Sequence, residues 1–322
     1  MGIVAGYITA KTVELAIVKE QRGQVQLQDR VTFINKDFSD FQSIMAVYIS
    51  RVGVNIRAMC LGVAGPVIDN EVRTTNIPWH LKGKGLAREF SLERCRLIND
   101  LVATARGLFL LDENKFFTIN EGVSTRQGNI GLIAAGSGLG QALIMYSGDK
   151  YIPFASEGGH SGFTPGNQLE MELWEYIYSQ QGYVEAEDVI STSGLERIYR
   201  FLIERERAVT PDWFKKASDK VSSVIEHGLA GNDPVAVQTV DMFVDCLATE
   251  VANLALKGLT LGGIYLVGLI EPQIITLIDK ARFVDRMIRM GKMDQVLAGI
   301  PIKVSLDGRT ALTGAAAMAL TM

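Results

Sequence analysis

Cysteine, basic runs and long apolar stretches are all scarce in this sequence. Three cysteines among 322 residues, Cys60, Cys95 and Cys246, lie too far apart for a CxxC metal knuckle or a disulfide framework. They read as small buried hydrophobes of a reducing compartment. Runs of Lys and Arg are missing too. The 32 basic residues are interspersed with 36 acidic ones for a net charge of -4, which gives no electrostatic reason to hold nucleic acid or an anionic membrane. The two most apolar windows, 131–145 and 258–270, are broken by glycine and fall short of the roughly 20 residues of a spanning helix. The amino terminus, MGIVAGYITAK, has no basic segment leading into an apolar core and a small-residue cleavage site. No segment has the composition of a linker or a low-complexity tail. These absences leave a soluble globular chain expected in the cytoplasm. With 48% hydrophobic residues it can fill the cores of two domains of about 100–200 residues each.

What is present is an alternation of strands and helices. VAGYIT, KTVELAIV and VQLQDRVTFI are three β-rich segments in near succession. SDFQSIMAVYISRVG then carries Phe41, Ile44, Met45, Tyr48, Ile49 and Val52 at helical spacing, with Ser39 or Asp40 as the cap and Gly53 as the stop. AMCLGVAGPV is a buried strand, RCRLIND is another, and LVATARGLFLL is helical. From about residue 128, NIGLIAAGSGLGQALIMYSGDKYIPFAS restarts with a strand, a small-residue turn and a second strand. This echo of the amino-terminal unit suggests a duplicated α/β architecture. LEMELWEYIYSQQG is a helix closed by Gly182. Asp233-Pro234 opens a long one, with the aspartate as N-cap, the proline at the first position and Gly258 beyond the end. GIYLVGLIEP and PIKVSL are strands, and TALTGAAAMALTM is a small-residue helix.

Four constellations could carry chemistry, and each has a structural alternative. Asn99-Asp100 precedes an apolar helix, so it serves either as a cap accepting backbone N–H bonds or as a catalytic pair. Glu157-Gly158-Gly159-His160 puts an acid and an imidazole on one turn whose glycines let backbone approach a ligand, or is a surface turn. Thr75-Asn76-Ile77-Pro78-Trp79 suits amide recognition of hydroxyls, or a packed loop. Ala135-Gly136-Ser137-Gly138-Leu139-Gly140 presents N–H groups able to meet an anion. It is no dinucleotide fingerprint, because a strand rather than a helix follows.

Taken in order, TTNIPWHL (74–81), RLINDLVATARGL (96–108), AAGSGLGQALI (134–144), ASEGGHSGFTP (155–165), VEAEDVISTSGL (184–195) and IYLVGLIEP (264–272) resemble the bacterial glucokinase family, within the hexokinase, actin and chaperone-ATPase superfamily. The likeness covers nearly the whole chain. It implies an α/β, two-lobed actin-like ATPase (ribonuclease H-like) fold, with duplicated mixed β-sheet domains, helices on both faces and a cleft between. The implied small domain is 1–110 plus 301–322, and the large one is 111–300. The implied activity is transfer of the γ-phosphoryl of ATP, with Mg2+, to the 6-hydroxyl of glucose or a related hexose. The resemblance makes Asp100 the catalytic base. Asn76, Asn99, Asp100, Glu157, His160 and Glu187 become the sugar contacts, and Gly136, Ser137, Gly138, Gly140 and Gly268 the ATP contacts. A homodimer is implied as well. The cysteine-rich zinc motif of the related sugar kinases is missing after EGGHSGF, so no metal site of protein ligands and no structural zinc are expected.

The first hairpin departs from the family. Its Asp-x-Gly-Gly-Thr-Asn turn is replaced here, with Tyr7 at the aspartate, Thr9 and Ala10 at the glycines, Lys11 at the threonine and Thr12 at the asparagine. Leu269 stands where a second glycine is usual beside the adenosine, and Ala135 where a glycine often begins the second turn. Two readings follow. In one the chain is a working hexose kinase, with Lys11 as a point charge on phosphate and the Thr9 or Thr12 hydroxyl in place of lost amides. In the other it is a sugar-binding pseudokinase that signals to an unknown regulatory partner.

Overall fold

The computed structural model describes residues 2–74, 77–123, 127–268, 274–289 and 291–322. Contacts divide the chain into two compact units, Met1–Lys115 with Asp307–Met322, and Phe116–Leu306. The first unit is therefore made from both ends of the chain.

In the first unit the strands are β1 (Gly2–Ile8), β2 (Thr12–Gln21), β3 (Gln24–Ile34), β4 (Ile56–Val63), a small hairpin of β5 (Glu71–Arg73) and β6 (His80–Lys82), and β7 (Arg94–Asn99). The main sheet runs β3-β2-β1-β4-β7. The β1/β2 and β2/β3 pairs are antiparallel, and β1/β4 and β4/β7 are parallel. Successive residues of β1 point to opposite faces, and both faces are covered, which is why this strand is apolar at nearly every position. Val4 and Ile8 join the core that contains Phe41, Ile44, Met45 and Tyr48 of α1 (Phe41–Val52). Ile3 and Ala5 join a second core built largely of alanines. Asp40, not Ser39, caps α1 by accepting from the Ser43 amide, and Gly53 ends it at φ +61°.

The alanine-rich core lies under α3 (Asp100–Leu108), which follows α2 (Gly83–Glu89), and under the closing helix Thr310–Leu320. Here two helix backbones touch. A Cβ on Gly107 would sit 1.9 Å from the Thr310 carbonyl oxygen, and one on Gly314 would sit 1.8 Å from the Ala103 carbonyl oxygen. The small-residue run in TALTGAAAMALTM thus reflects a demand for close approach. LVATARGLFLL stops being helical at Leu108, and Phe109 and Leu110 are half-exposed beyond it.

The second unit has β8 (Phe116–Asn120), β9 (Ile130–Ala135), β10 (Leu139–Tyr146), β11 (Tyr151–Ser156), β12 (Gly263–Val267) and β13 (Ile302–Ser305), in the order β11-β10-β9-β12-β13-β8. Its first three strands form an antiparallel meander, β9/β12 and β12/β13 are parallel, and β8 adds an antiparallel edge. Leaving out β8, this is the order and polarity of the first sheet, so the duplication suggested by two strand-turn-strand segments is present in the topology. β11 is a third strand beyond the two expected from that segment.

Helices α4 (Gln168–Gln181), α5 (Thr192–Arg205), α6 (Asp212–Lys216), α7 (Lys220–Ala230) and α8 (Pro234–Gly258) build the rest of the core together with the helices Ile274–Leu277, Lys280–Ile288 and Asp294–Ala298. Asp233 caps α8 and Pro234 opens it as expected, but the helix runs through Gly258 and ends on Leu259 at φ +44°. A Cβ on Gly258 would lie 2.4 Å from the Leu143 side chain. This glycine serves packing against β10, and the left-handed residue falls one position later. All three cysteines are buried. Burial pushes the Cys60 and Cys95 thiols up to about 12, so both stay as thiols.

Gly107→Ala is expected to destabilise the full chain by about 2–3 kcal/mol, since its methyl group meets a backbone carbonyl that has no rotamer to escape into. Gly308→Ala, where a Cβ meets open space, should stay within about 0.5 kcal/mol. Urea unfolding midpoints distinguish the two, and equal effects would remove close helix approach as the reason for Gly107.

Candidate active site

In the first unit, β7 delivers Asn99 and Asp100 to the start of α3. Asn99 is the N-cap. Its Oδ1 accepts from the Leu101 and Val102 amides at 2.9 and 3.3 Å, and its Nδ2 donates to the Gly65 carbonyl at 3.1 Å. Capping therefore holds for Asn99, and both ends of its amide are engaged locally. Asp100 is the first helical residue, partly buried, with Oδ1 accepting from the Leu101 amide at 2.9 Å.

Tyr7 lies one strand pair earlier, opposite Gly62 on β4. A Cβ on Gly62 would be 3.6 Å from the Tyr7 ring and 3.1 Å from Ala103 Cβ, so the missing side chain leaves room for the ring beside the start of α3. Burial, then the charge of Asp100, then that of Glu14 push the Tyr7 hydroxyl well above its ordinary value. The group at this position is a neutral phenol.

The turn that follows is closed on itself. Thr9 Oγ1 accepts from the Lys11 and Thr12 amides at 3.2 and 2.9 Å and lies 3.0 Å from Thr12 Oγ1, while the Thr9 amide donates to the Thr12 carbonyl. From behind, Asn35 donates its backbone N–H to the Lys11 carbonyl and its Nδ2 to the Thr9 carbonyl, both at 2.9 Å. The Lys11 and Thr12 amides are thus occupied by a side-chain oxygen. The Thr9 hydroxyl is engaged in holding the turn rather than free to replace lost amides. Lys11 remains exposed.

In the second unit, three segments lace together. Gly159 and Ser161 carbonyls accept from the Glu187 and Ala186 amides at 3.0 and 2.8 Å, and the Phe163 amide donates to Val184 at 2.9 Å. This pairing places Glu157, His160 and Glu187 in one patch. Glu187 Oε2 accepts from the Leu139 amide at 2.7 Å and lies against Gly138, where a Cβ would be 2.5 Å from it. A Cβ on Gly159 would be 1.7 Å from the Leu139 carbonyl oxygen, and one on Gly158 would be 2.4 Å from Gln141 Oε1. The paired glycines are therefore required by the fit of this turn onto β10.

His160 Nδ1 is 2.7 Å from Glu185 Oε2. That hydrogen bond raises the imidazole's pKa against a smaller opposing effect of burial, and the charges of Glu187, Glu185 and Glu157 raise it further. With Nδ1 held by Glu185, the other ring nitrogen is the one presented outward. Glu157 is exposed. Glu185 and Gln141 were not singled out from sequence. Gln141 is buried, its Nε2 donates to the buried Glu250 at 2.7 Å, and its carbonyl accepts from Ser156 Oγ at 3.0 Å, just before Glu157.

The second glycine turn differs from the first. Gly136 donates to the Gly138 carbonyl at 2.8 Å, and its own carbonyl accepts from both the Thr192 amide and Thr192 Oγ1 at 2.9 Å, at the start of α5. The Ser137 and Gly138 amides have no protein acceptor among the described residues. Gly268, at φ +59°, follows β12 with its carbonyl oxygen 3.4 Å from a Cβ built on Gly136. Two open amides and two small residues at the carboxyl ends of adjacent parallel strands suit a phosphate-bearing ligand. Gly140 is a strand residue paired with Ala134. Asn76 and Leu269 lie outside the described residues.

A family model described as Glucokinase matches residues 4–322. A glucokinase of Trichormus variabilis is 33% identical over 87% of this chain and 87% of its own. One from Synechocystis is also 33% identical, over 99% of this chain and 98% of its own. The crystal structure of glucokinase from an Antarctic psychrotroph superposes with a TM-score of 0.85 at 26% identity, covering 100% of this chain and 99% of that one.

Glu185→Gln should lower the His160 pKa by removing a hydrogen bond and a charge that favour the imidazolium, read from the imidazole resonances in a pH titration. Because the folded pKa is raised, the stability that protonated His160 contributes is complete below the ordinary imidazole value of about 6.5 and is lost as pH rises through the raised one. Half-exposure of the pair keeps that contribution small. An unmoved His160 titration would remove Glu185 as its partner.

Proposed function

The chain belongs to the glucokinase family, and from that membership we propose that it transfers the γ-phosphoryl group of ATP to the 6-hydroxyl of glucose or a close hexose, with Mg2+, in the cytoplasm. The observation that carries the sugar assignment is the single hydrogen-bonded patch holding Glu157, His160 and Glu187. A hexose presents a ring of hydroxyls that both donate and accept. Carboxylates accept from them, and the outward imidazole nitrogen donates. Each hydroxyl partner left unmet in a closed site costs about 1–3 kcal/mol, which is how such a patch discriminates among sugars.

In this reading Asp100, held at the start of α3, takes the proton of the attacking hydroxyl and orients it. Glu187 holds its hydroxyl in fixed register with the second glycine turn, because the Leu139 amide binds the same carboxylate. The Ser137 and Gly138 amides would hold phosphate oxygens, with Gly136 and Gly268 giving room for the rest of the nucleotide. When bound, ATP with Mg2+ supplies the phosphoryl group and neutralises its charge. Since the transition state of phosphoryl transfer is loose, the protein's work is chiefly positioning. The first turn contributes less than usual, for its Lys11 and Thr12 amides bond to Thr9 and its carboxylate position carries a phenol. We infer that Lys11 is the group there with charge to offer a phosphate.

Glucose at about 100 times its dissociation constant should stabilise the folded chain by about 2.7 kcal/mol. Mg-ATP should add its own shift if the second turn cradles phosphate. Asp100→Asn should lower kcat by about 100-fold or more while leaving glucose affinity within about threefold. Both are checked by thermal scans beside an assay of ADP release. A glucose shift with no ADP formed would mark a sugar binder without turnover, and no shift with any hexose would end the sugar assignment.

A further inference from the structure

We propose that the first unit carries a second binding site, beside its closed turn, for a small anion with a flat apolar body. A cavity of about 460 Å³ is lined by Ile34, Asn35, Phe38 and Trp79, together with Lys11 and Lys36. That volume is in the range of pockets for small organic ligands, about 300–1,000 Å³. Its walls are those of an aromatic or aliphatic pocket, with Trp79 buried and Ile34 left 50% exposed at the end of β3. The two lysines are exposed, and neither has a carboxylate partner among the described residues. The acids of the same segment, Asp37 and Asp40, do not line the cavity, and Asp40 is engaged with Ser39 and Ser43 at the start of α1. A pocket of this kind does not suit a hexose, which needs acceptors around its whole ring. It suits a carboxylate, phosphate or sulfonate on an apolar frame.

Asn35 is a second, independent indication. It is 5% exposed, its Nδ2 is bound to the Thr9 carbonyl, and its Oδ1 is buried without a hydrogen-bond partner among the described residues. Folded proteins rarely leave a buried acceptor unpaired; Asn35 lines the cavity, and a small turn of its side chain on ligand binding would bring this oxygen within reach of a donor such as an amine or hydroxyl. The same residue grips the turn at two carbonyls, Thr9 and Lys11. Occupancy is therefore felt by the turn through Asn35, which makes the site a regulatory one. The inference shares Lys11 with the kinase reading, but its test turns on Lys36, which that reading does not use, and requires neither sugar nor nucleotide turnover.

The probe is 1-anilinonaphthalene-8-sulfonate, which combines an anion, an aromatic body and an N–H donor, titrated by fluorescence into the full chain. One equivalent should bind. Lys36→Glu should weaken it about tenfold or more, and Lys36→Arg should keep it within about threefold. Saturating glucose should not displace it. Amide exchange at Lys11 and Thr12 should change when the probe is bound. Binding of equal strength in Lys36→Glu, displacement by glucose, or many weak equivalents indifferent to residue 36 would each overturn the site. Unchanged exchange at residues 11 and 12 would overturn its coupling to the turn.

Discussion

One carboxylate-to-amide bond, from the Leu139 N–H to Glu187, sets the register of the second unit's working surface. A charged acceptor makes such a bond roughly twice as strong as a neutral one. Its position is enforced sterically as well, because Gly138 has no side chain to push the carboxylate away and Gly159 presses its backbone onto the carbonyl of the same Leu139. The glycine turn, the Glu157–His160 turn and the segment before α5 are therefore one body, assembled around the first residue of β10. Thr192 fastens its far side by bonding Gly136 twice.

The two sheets show how a shared topology can be given different tasks at its turns. Both run from an antiparallel meander into parallel strands, and each has a short turn after its first strand. In the second unit that turn leaves amides open. In the first, one threonine hydroxyl takes two of them. The difference rests on a single side-chain oxygen, and a β-branched residue is well suited to hold it there, since its χ1 freedom is small to begin with.

Much of the fold was legible because its signals are local. The period of α1, the Asp233-Pro234 start of α8 and the apolar runs of β1, β4 and β9 each follow from short-range rules. The boundary at Gly258 was misread because a glycine has two uses, and nothing near it in sequence reveals that Leu143 packs against it. The site was legible in kind but not in detail. Residue order pointed to Glu157, His160 and Glu187. Glu185 and Gln141 act through partners 25 and 109 residues away, separations that no local pattern encodes. The closing of the first turn was visible only as a loss of glycines, and what replaced them had to be seen in three dimensions.

The first unit is discontinuous, and the helix Thr310–Leu320 supplies much of one of its two cores. During synthesis, β7 ends 211 residues before that helix begins, and the chain grows at about 5–20 residues per second. For that interval one face of the nascent sheet has no permanent cover, whereas the second unit is contiguous and can finish first. The backbone-to-backbone seat formed by Gly107 and Gly314 is then the last joint of the molecule to be made, and a chain cut short before it would expose an alanine-rich surface to chaperones.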